Sequence, residues 1–339
     1  MNRRASTLLT GSILLVALVA LATYVKVGYS EVLPGPTYDT LGEVDGSEVI
    51  TITGGPDHPT TGQLRMLTIY EQRQMDTFEV VKGWLDGSLA VLPTEVLFPP
   101  GQTEQQLNQE QSDEFQQSQS AAGVVALRHA GYPVEVFISK VVAGQPADGH
   151  LKTGDVITSV DGQKVLSSGD VGALVQGKPA GSKLVFDYVR DGKPGTTTIT
   201  SVTADGRPRI GVEVGERQPS PIKISFKLEN VGGPSAGLMF TLGAISKLEG
   251  LDLTGGKTIA GTGTMDEDGN VGPIGGIHQK MVSAYNAGAR IFLAPADNCA
   301  EAASDPIPGL KLVKVDTIDT AVSALQQLRN GQEPALCTK

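Results

Sequence analysis

The sequence has few of the residues that metal sites and nucleic-acid surfaces require. Among its 339 residues are two cysteines and four histidines, and aromatic residues make up 5%. No His-Glu-x-x-His motif or cysteine-rich cluster occurs, so the sequence predicts no metal site. The net charge is -10 and no basic cluster is interleaved with aromatic residues. A surface that follows nucleic-acid phosphates is therefore not expected.

The N-terminal 27 residues have the composition of a membrane anchor. Arg3 and Arg4 precede a mostly apolar stretch at 8–25, which is about long enough to cross a bilayer. Two positive charges before this stretch, against Lys26 after it, predict a cytoplasmic N-terminus and an extracytoplasmic body. Ala20-Leu21-Ala22 has the small-x-small form of a signal-peptidase site, so a cleaved signal peptide is the alternative.

Both alternatives export the rest of the chain to a compartment where disulfides persist. Cys299 and Cys337 are the only two cysteines, so we expect them to form one bridge that holds the C-terminal tail. With an uncleaved anchor, the protein would reside in the cell membrane and cross it once.

Proline, glycine and the hydrophobic pattern divide the exported part into modules. The first is predicted at 28–119 and begins with a short linker at 31–40, which contains Pro34, Gly35 and Pro36. Strands are predicted at 49–53 and 64–70. Thr103 then caps a helix rich in glutamine that runs to about residue 130. The function of this module is not readable from its residues.

Two further modules make the chain an α+β multidomain protein. Residues 120–204 combine short strands with one helix at 168–176, and residues 205–339 alternate strands with helices. In the last module we predict strands at 222–228, 257–263, 290–294 and 311–315, and helices at 235–248, 277–287 and 317–329.

The middle module contains the run from Val142 through Gln145-Pro146-Ala147 to Gly154-Asp155, which closes on Asp161-Gly162. This run resembles the PDZ domains of bacterial serine proteases. Such domains bind a peptide C-terminus as an added strand, with its carboxylate held by backbone N–H groups. The alternative is a domain that only spaces the last module from the membrane. The resemblance places the peptide groove at Gly131, Tyr132, Val134, Val136, Val171 and Leu174, and Pro133 departs from it because proline lacks an N–H.

A serine in the last module lies at the start of a predicted helix. It is Ser235, in the run Gly232-Gly233-Pro234-Ser235-Ala236-Gly237. Free N–H groups and the positive end of a helix can hold a developing oxyanion, and the flanking Gly233, Pro234 and Ala236 would lie against a substrate backbone. By itself such a turn is more often a plain helix cap.

A second motif favours a catalytic serine over a plain helix cap. It includes Thr262 and continues through Pro273-Ile274-Gly275-Gly276 to Lys280. Together the two motifs resemble, over roughly residues 209–327, the proteolytic domain of the Lon family. The resemblance implies an α/β proteolytic domain with a Ser–Lys dyad, in which Ser235 is the nucleophile, Lys280 is the general base and Thr262 orients the lysine.

A lysine can act as a base only if its pKa falls toward neutrality, which burial achieves. Lys280 lies in the first turn of a predicted helix, whose positive end disfavours a further cation. A surface lysine on an amphipathic helix is the alternative. No histidine is needed, and His58, His129, His150 and His278 show no spacing of a Ser–His–Asp triad.

Gly255-Gly256-Lys257-Thr258 ends like a phosphate-binding loop, but the position of the first glycine is Leu251. The segment also follows a helix and precedes a strand, which is the reverse order. We therefore expect no ATPase module, nucleotide or other cofactor. Lon-type domains commonly form rings, so the resemblance also implies a homo-oligomer.

The predicted function is an ATP-independent serine endopeptidase that cleaves flexible exported polypeptides, with the PDZ domain recognising substrates or C-termini. The alternative is a PDZ adaptor or chaperone of the cell envelope that binds exported chains without cutting them.

Overall fold

The computed structural model describes residues 3–218, 222–229 and 231–338. An apolar helix comes first, and a mixed region of strands and helices follows it. Its elements are α1 (Arg3–Tyr24), β1 (Tyr29–Asp39), β2 (Glu43–Val44), β3 (Ser47–Glu48), β4 (Ile50–Thr53), β5 (Gln63–Gln72), α2 (Thr77–Leu85), β6 (Ala90–Pro93), α3 (Thr94–Leu97) and α4 (Glu104–His129).

A module of short strands around one helix comes next. It comprises β7 (Glu135–Val141), β8 (Val156–Val160), β9 (Gln163–Lys164), α5 (Ser168–Gln176), β10 (Lys183–Arg190), β11 (Lys193–Thr200), β12 (Val202–Ala204), β13 (Arg207–Arg209) and β14 (Val212–Arg217). The predicted helix at 168–176 coincides with α5.

Alternating strands and helices complete the chain, in the order that the sequence predicts. They are β15 (Lys223–Phe226), α6 (Gly237–Glu249), β16 (Thr258–Gly261), β17 (Thr264–Met265), β18 (Val271–Gly272), α7 (Ile277–Asn286), β19 (Ile291–Pro295), a 3-10 turn (Ala296–Asn298), α8 (Cys299–Ser304), β20 (Lys311–Val315) and α9 (Ile318–Arg329).

The central sheet joins strands that follow α1 to strands near the C-terminus. Its six strands lie in the order β20-β19-β16-β5-β1-β6, and the parallel pairing of Thr258 with Gln63 and of Gly261 with Met66 connects the early strands to the late ones. The prediction that residues 28–119 form a separate module is therefore wrong. Strands β1, β5 and β6 share one sheet with the C-terminal part, β4 pairs with β15, and residues of this region belong to the same core.

The predicted linker at 31–40 is also wrong, because residues 31–39 lie in β1. The strand pairs with β5 along its length, with a register shift between Pro34 and Thr37. On its other side β1 pairs with β6 only as far as Val32. Pro34 and Pro36 therefore lie at the bulge in the pairing with β5 and after the end of the pairing with β6. Their missing N–H groups cost no hydrogen bond between strands there.

Helix α4 packs against the core of the central sheet and leads into the PDZ-like module. Thr103 forms the predicted capping box with Gln106. The first turns are exposed, whereas the segment from Phe115 to Leu127 is largely buried and packs on α6, with an edge-to-face contact of 5.7 Å between the rings of Phe115 and Phe240. The glutamine-rich face is thus confined to the N-terminal half, and the other half anchors the PDZ-like module to the central sheet.

Helix α1 contains an 18-residue apolar stretch at Thr7–Tyr24 with a mean hydropathy of 2.0, none of it covered by the rest of the chain. By length and composition it is a candidate for either a membrane anchor or a signal sequence.

A disulfide joins Cys299 at the start of α8 to Cys337 in the C-terminal tail. The tail runs beside β20, where the Cys337 N–H donates to the Leu312 carbonyl at 3.0 Å and the Lys314 N–H donates to the Ala335 carbonyl at 2.9 Å. Because β20 is the outermost strand of the sheet, the tail covers an edge that would otherwise be open to another chain.

We expect the disulfide to stabilise the folded chain substantially. It closes a loop with a sequence separation of 38, so Cys337→Ser should lower the free energy of unfolding by about 3–4 kcal/mol on a chain-entropy basis. Cys299→Ser and the double variant should lose the same amount, since all three remove one bridge. Denaturant unfolding with and without reductant measures this. An additive double variant, or wild-type protein that is insensitive to reductant, would contradict it.

Candidate active site

A cavity of about 570 Å³ opens where β5, the start of α4 and the N-termini of α6 and α7 meet. Beyond Met66, β5 continues past its pairing with β16, and its residues form one wall. The lining side chains and backbone come from Pro36, Tyr38, Met66–Glu71, Arg73, Phe98, Glu104, Leu107, Asn108, Gln111, Glu114, Val231, Gly232, Gly233, Ser235, Ala236, Gly275 and Lys280.

Ser235 is fixed through its backbone just before α6. Its carbonyl accepts hydrogen bonds from the Gly263 N–H at 3.0 Å and from the Thr262 hydroxyl at 3.1 Å. The helix begins at Gly237, with Ala236 as its N-cap, two residues later than predicted. A Cβ on Gly237 would lie 2.7 Å from the Met265 Cβ, so only glycine lets the helix start so close to β17.

Helix α4 holds the loop that precedes Ser235. The Gly233 N–H donates to the Gln111 carbonyl at 2.9 Å, and the Ser118 hydroxyl donates to the Pro234 carbonyl at 2.9 Å. Gly233 adopts a φ of +79°, a left-handed conformation that favours glycine. Both contacts come from a helix that the sequence analysis did not connect with the serine.

Lys280 lies in the first turn of α7, with its side chain turned into the protein. It is 3% exposed, and its Nζ donates to the Thr262 hydroxyl oxygen at 3.2 Å. Burial lowers the pKa of Lys280 to about 8, because a desolvated ammonium is less stable than the neutral amine. The alternative of a surface lysine is thereby excluded.

Thr262 connects the two motifs. Its hydroxyl accepts from the Lys280 Nζ and donates to the Ser235 carbonyl, so one side chain fixes the lysine relative to the serine backbone. Ser235, Ala236, Gly233 and Lys280 all line the same cavity. The structure thus brings together the residues that the two motifs singled out.

The other wall of the cavity is what the sequence analysis missed. Thr68 and Tyr70 of β5 and Asn108 of α4 line the cavity, yet all three belong to the region whose function was not readable. The alternation at 64–70 predicts the strand, but only the sheet order places it beside Ser235.

A second cavity, of about 520 Å³, lies in the PDZ-like module between α5 and β14. In the sheet order β11-β10-β8-β7-β14, β14 is outermost, so one of its edges faces the cavity without a strand partner. The lining residues include Val171, Gly172 and Val175 of α5, the loop Arg209-Ile210-Gly211, and Val212, Glu213 and Val214 of β14.

The predicted groove around residues 131–138 is not formed. β7 is enclosed between β14 and β8, Tyr132 and Val134 pack against the core of the central sheet, and Val136 is buried in the core of the module itself. Gly131 is a turn residue after α4, with a φ of +76°. The strand with a free edge is instead β14, at the C-terminal end of the module. Pro133 is not part of this strand, so its missing N–H does not affect the groove.

Of the two residues of α5 that the sequence assigns to the groove, one lies in it. Val171 lines the cavity, whereas Leu174 packs against the core of the module.

The far end of this second cavity touches the Lon-like module. Glu216 of β14 accepts from the Ser168 N–H at 2.5 Å and pairs with Arg128 of α4, and Arg128 also donates to the Glu267 carbonyl at 2.5 Å. Burial raises the pKa of the Glu216 carboxyl above its ordinary value. Asp268 lines the cavity beside Gly169, so the β17–β18 turn forms part of its rim.

Two other sequence features have plain structural roles. Gly255 and Gly256 form a turn between α6 and β16, in which the Asp252 carboxylate accepts from the Gly255 N–H at 2.8 Å. No helix follows this turn, which leads into a strand. Within the described ranges, no group of three or more His, Cys, Asp or Glu side chains could hold a metal ion.

Comparisons with known proteins match two parts of the chain to known domain families. Residues 106–200 match the PDZ domain family, and residues 230–327 match the Lon protease (S16) C-terminal proteolytic domain. Lon protease 1 of Sorangium cellulosum is 38% identical over 103 residues, which are 29% of this chain and 12% of that protein. A probable periplasmic serine endoprotease DegP-like of Ectopseudomonas mendocina is 28% identical over 231 residues, 66% of this chain and 40% of that protein.

Among solved structures, the PDZ domain of an SdrC-like protein from Listeria monocytogenes is 28% identical and covers 24% of this chain and 86% of that chain, with a TM-score of 0.23. The chain spans only 12% and 40% of the length of the two curated relatives. The family matches identify two domains: the chain carries a PDZ domain and, after it, a Lon-type (S16) C-terminal proteolytic domain.

Proposed function

We propose that the protein is an ATP-independent serine endopeptidase that cleaves flexible exported polypeptides with Ser235 as nucleophile and Lys280 as general base. The observation that carries the proposal is the buried Lys280 amine, with its pKa lowered to about 8, tied through Thr262 to the backbone of Ser235. With this pKa about a tenth of the lysine is neutral at pH 7, far more than at its ordinary pKa.

In the proposed reaction the neutral Lys280 amine takes the proton of the Ser235 hydroxyl as the serine oxygen bonds to a peptide carbonyl carbon. The resulting ammonium gives this proton to the leaving amine as the C–N bond breaks, which leaves an ester on Ser235. Water then bonds to the ester carbonyl carbon and loses a proton to Lys280, and the ammonium gives this proton to the Ser235 oxygen as the ester C–O bond breaks, which restores the serine and releases the carboxylic acid. Lys280 therefore ends each half-reaction neutral.

The Ala236 N–H, at the start of α6, is the donor that we assign to the oxyanion. Pro234 has no N–H, and the Gly233 N–H is used by the Gln111 carbonyl. Gly233 and Pro234 then contribute by shaping the turn against which the substrate backbone lies. Residues 67–71 of β5 line the same cavity and would pair with an extended substrate.

The PDZ domain is proposed to hold the C-terminus of the substrate between α5 and the free edge of β14. The carboxylate would lie at the loop Arg209-Ile210-Gly211 before β14, where backbone N–H groups are available. An antiparallel peptide would then leave past the C-terminal end of β14, where Glu216 and Asp268 meet the protease domain. The upstream part of the substrate is thus directed toward that domain.

Helix α1 is proposed to hold the protein in the membrane as a single-pass anchor, with a cytoplasmic N-terminus and the remaining domains on the extracytoplasmic side. The supporting observations are its uncovered apolar stretch and the two arginines before it.

The dyad predicts that two substitutions have the same consequence. Ser235→Ala and Lys280→Met should each lower the rate of hydrolysis of a flexible fluorogenic peptide by roughly a thousandfold or more, and the double variant should lose no more than either. Thr262→Ser, which keeps the hydroxyl, serves as the matched control and should retain most activity. Substantial activity in Lys280→Met, or an additive double variant, would refute the dyad.

The pH dependence follows from the neutral form of Lys280. Its pKa is lowered by burial, so kcat/KM should rise with pH through a midpoint near the value of about 8 and level off above it, because only the neutral amine accepts the proton. ATP should change neither the profile nor the rate. A rise only in the range of an ordinary lysine, or a requirement for ATP, would contradict the mechanism.

The revised groove can be tested by filling it. Gly172 lines the cavity, and a Cβ there would meet nothing closer than the Gln176 amide at 4.0 Å, so Gly172→Leu should fold normally. It should weaken binding of a labelled peptide with a free C-terminus by about tenfold or more, as amidation of that peptide should. Ala173→Leu, on the exposed side of α5, is the matched control. Equal binding by both variants would place the groove elsewhere.

A further inference from the structure

Helix α2 carries a row of large apolar side chains on its outer surface. Phe78 is 62% exposed, Val81 47%, Trp84 64% and Leu85 84%. Their spacing of three or four residues puts them on one side of the helix. Val80 and Gly83, which point the other way, are buried. The outward row is thus not a displaced part of the core, and contiguous apolar surface of this kind marks an interaction site.

The row lies beside the end of the candidate membrane helix. After α1 ends at Tyr24, the Val27 N–H donates to the Met75 carbonyl at 2.9 Å. The Lys26 ammonium lies 3.4 Å from the Glu79 carboxylate of α2. Asp76 caps α2 through a capping box with Glu79. The hydrogen bond of Val27 and the ion pair of Lys26 therefore fix the start of α2 to the point where α1 would leave the bilayer.

The side chains around this point are those that suit a bilayer surface. Trp84 packs edge-to-face on Tyr29 at 6.1 Å, and Tyr24 at the end of α1 is 86% exposed. Tryptophan and tyrosine concentrate at membrane–water interfaces because one end of each ring system is apolar and the other polar. Lys82 follows Val81 on α2, where its long stem can lie along apolar groups with its charge among lipid phosphates.

We propose that α2 lies on the outer surface of the bilayer that α1 crosses, with Phe78, Val81, Trp84 and Leu85 inserted among the lipids. The inference rests on α1 being a membrane anchor, as proposed above. It gives the protein a second membrane contact, made by a folded helix rather than by the anchor alone. Because α2 is joined to β5 by only the residues 73–76, the wall of the active-site cavity would be held at a fixed height above the membrane.

This arrangement narrows the class of substrates that reach Ser235. A cavity tethered at one height favours polypeptide segments close to the membrane surface, such as the regions of membrane proteins that flank their spanning helices. Freely diffusing chains gain nothing from the second contact.

The experiment uses the full chain in lipid vesicles and the fact that Trp84 is the only tryptophan. Its emission should fall roughly twofold in vesicles whose acyl chains carry bromine near the headgroup, relative to unbrominated vesicles, because bromine quenches indole at short range within the bilayer. Iodide in the water should quench it little. Strong iodide quenching with no effect of bromine would overturn the proposal, and so would a tryptophan protected from both quenchers, which would indicate a second protein on this face.

Charged variants separate this contact from the anchor. Phe78→Glu with Leu85→Glu should abolish the bromine quenching, whereas Leu166→Glu, at an exposed apolar position in the PDZ domain, should leave it unchanged. All variants keep α1 and should still float with the vesicles. Loss of flotation for the unaltered chain would contradict the anchor itself, and flotation without bromine quenching would contradict only the contact of α2.

Discussion

The buried amine of Lys280 is the constraint around which the proteolytic domain is organised. An ammonium in an apolar environment is unstable unless paired, and here burial instead lowers its pKa to about 8. Lys280 lies in α7 with Ile277 and Met281, which belong to one buried apolar cluster with Leu67, and Leu67 lines the same cavity as Lys280. Leu67 comes from β5 and the other two from α7, so the environment of the lysine depends on chain segments more than two hundred residues apart.

The cavity that contains Lys280 is enclosed by early and late parts of the chain, which are joined in the central sheet. Strands β1 and β5 close one side of the cavity, and α4 holds the loop of Ser235 through Gln111 and Ser118. The same helix continues into the PDZ domain and carries Arg128, which bonds both Glu216 of the PDZ domain and the Glu267 carbonyl of the protease domain. One helix thus contacts the loop of Ser235, strand β14 of the PDZ domain and the β17–β18 turn of the protease domain.

The sequence predicted the local elements well where local signals are strong. The capping box at Thr103, helix α5 and the order of strands and helices after residue 210 follow from turn residues and hydrophobic periodicity. The sequence also singled out Ser235, Thr262 and Lys280 as candidate site residues, because they lie in short segments with distinctive spacing. Their burial and their shared hydroxyl contact require the three-dimensional arrangement.

Long-range pairing is what the sequence could not supply. Prolines made β1 resemble a linker, and only its pairing with β5 reveals the bulge that accommodates them. The groove was assigned to β7 because the order of strands along the chain differs from their order in the sheet, where β14 is outermost. Both errors concern which strands are neighbours, which depends on contacts between residues far apart in sequence.

The most direct test of this account is the ionisation of Lys280 itself, apart from catalysis. In Ser235→Ala protein labelled at the lysine ε-carbons, NMR can follow the Lys280 resonance, assigned by its loss in Lys280→Met, across the alkaline range. The account predicts a midpoint near the value of about 8, well below those of the exposed lysines. A midpoint among the exposed lysines would show that the amine is solvated, and would contradict its role as the base.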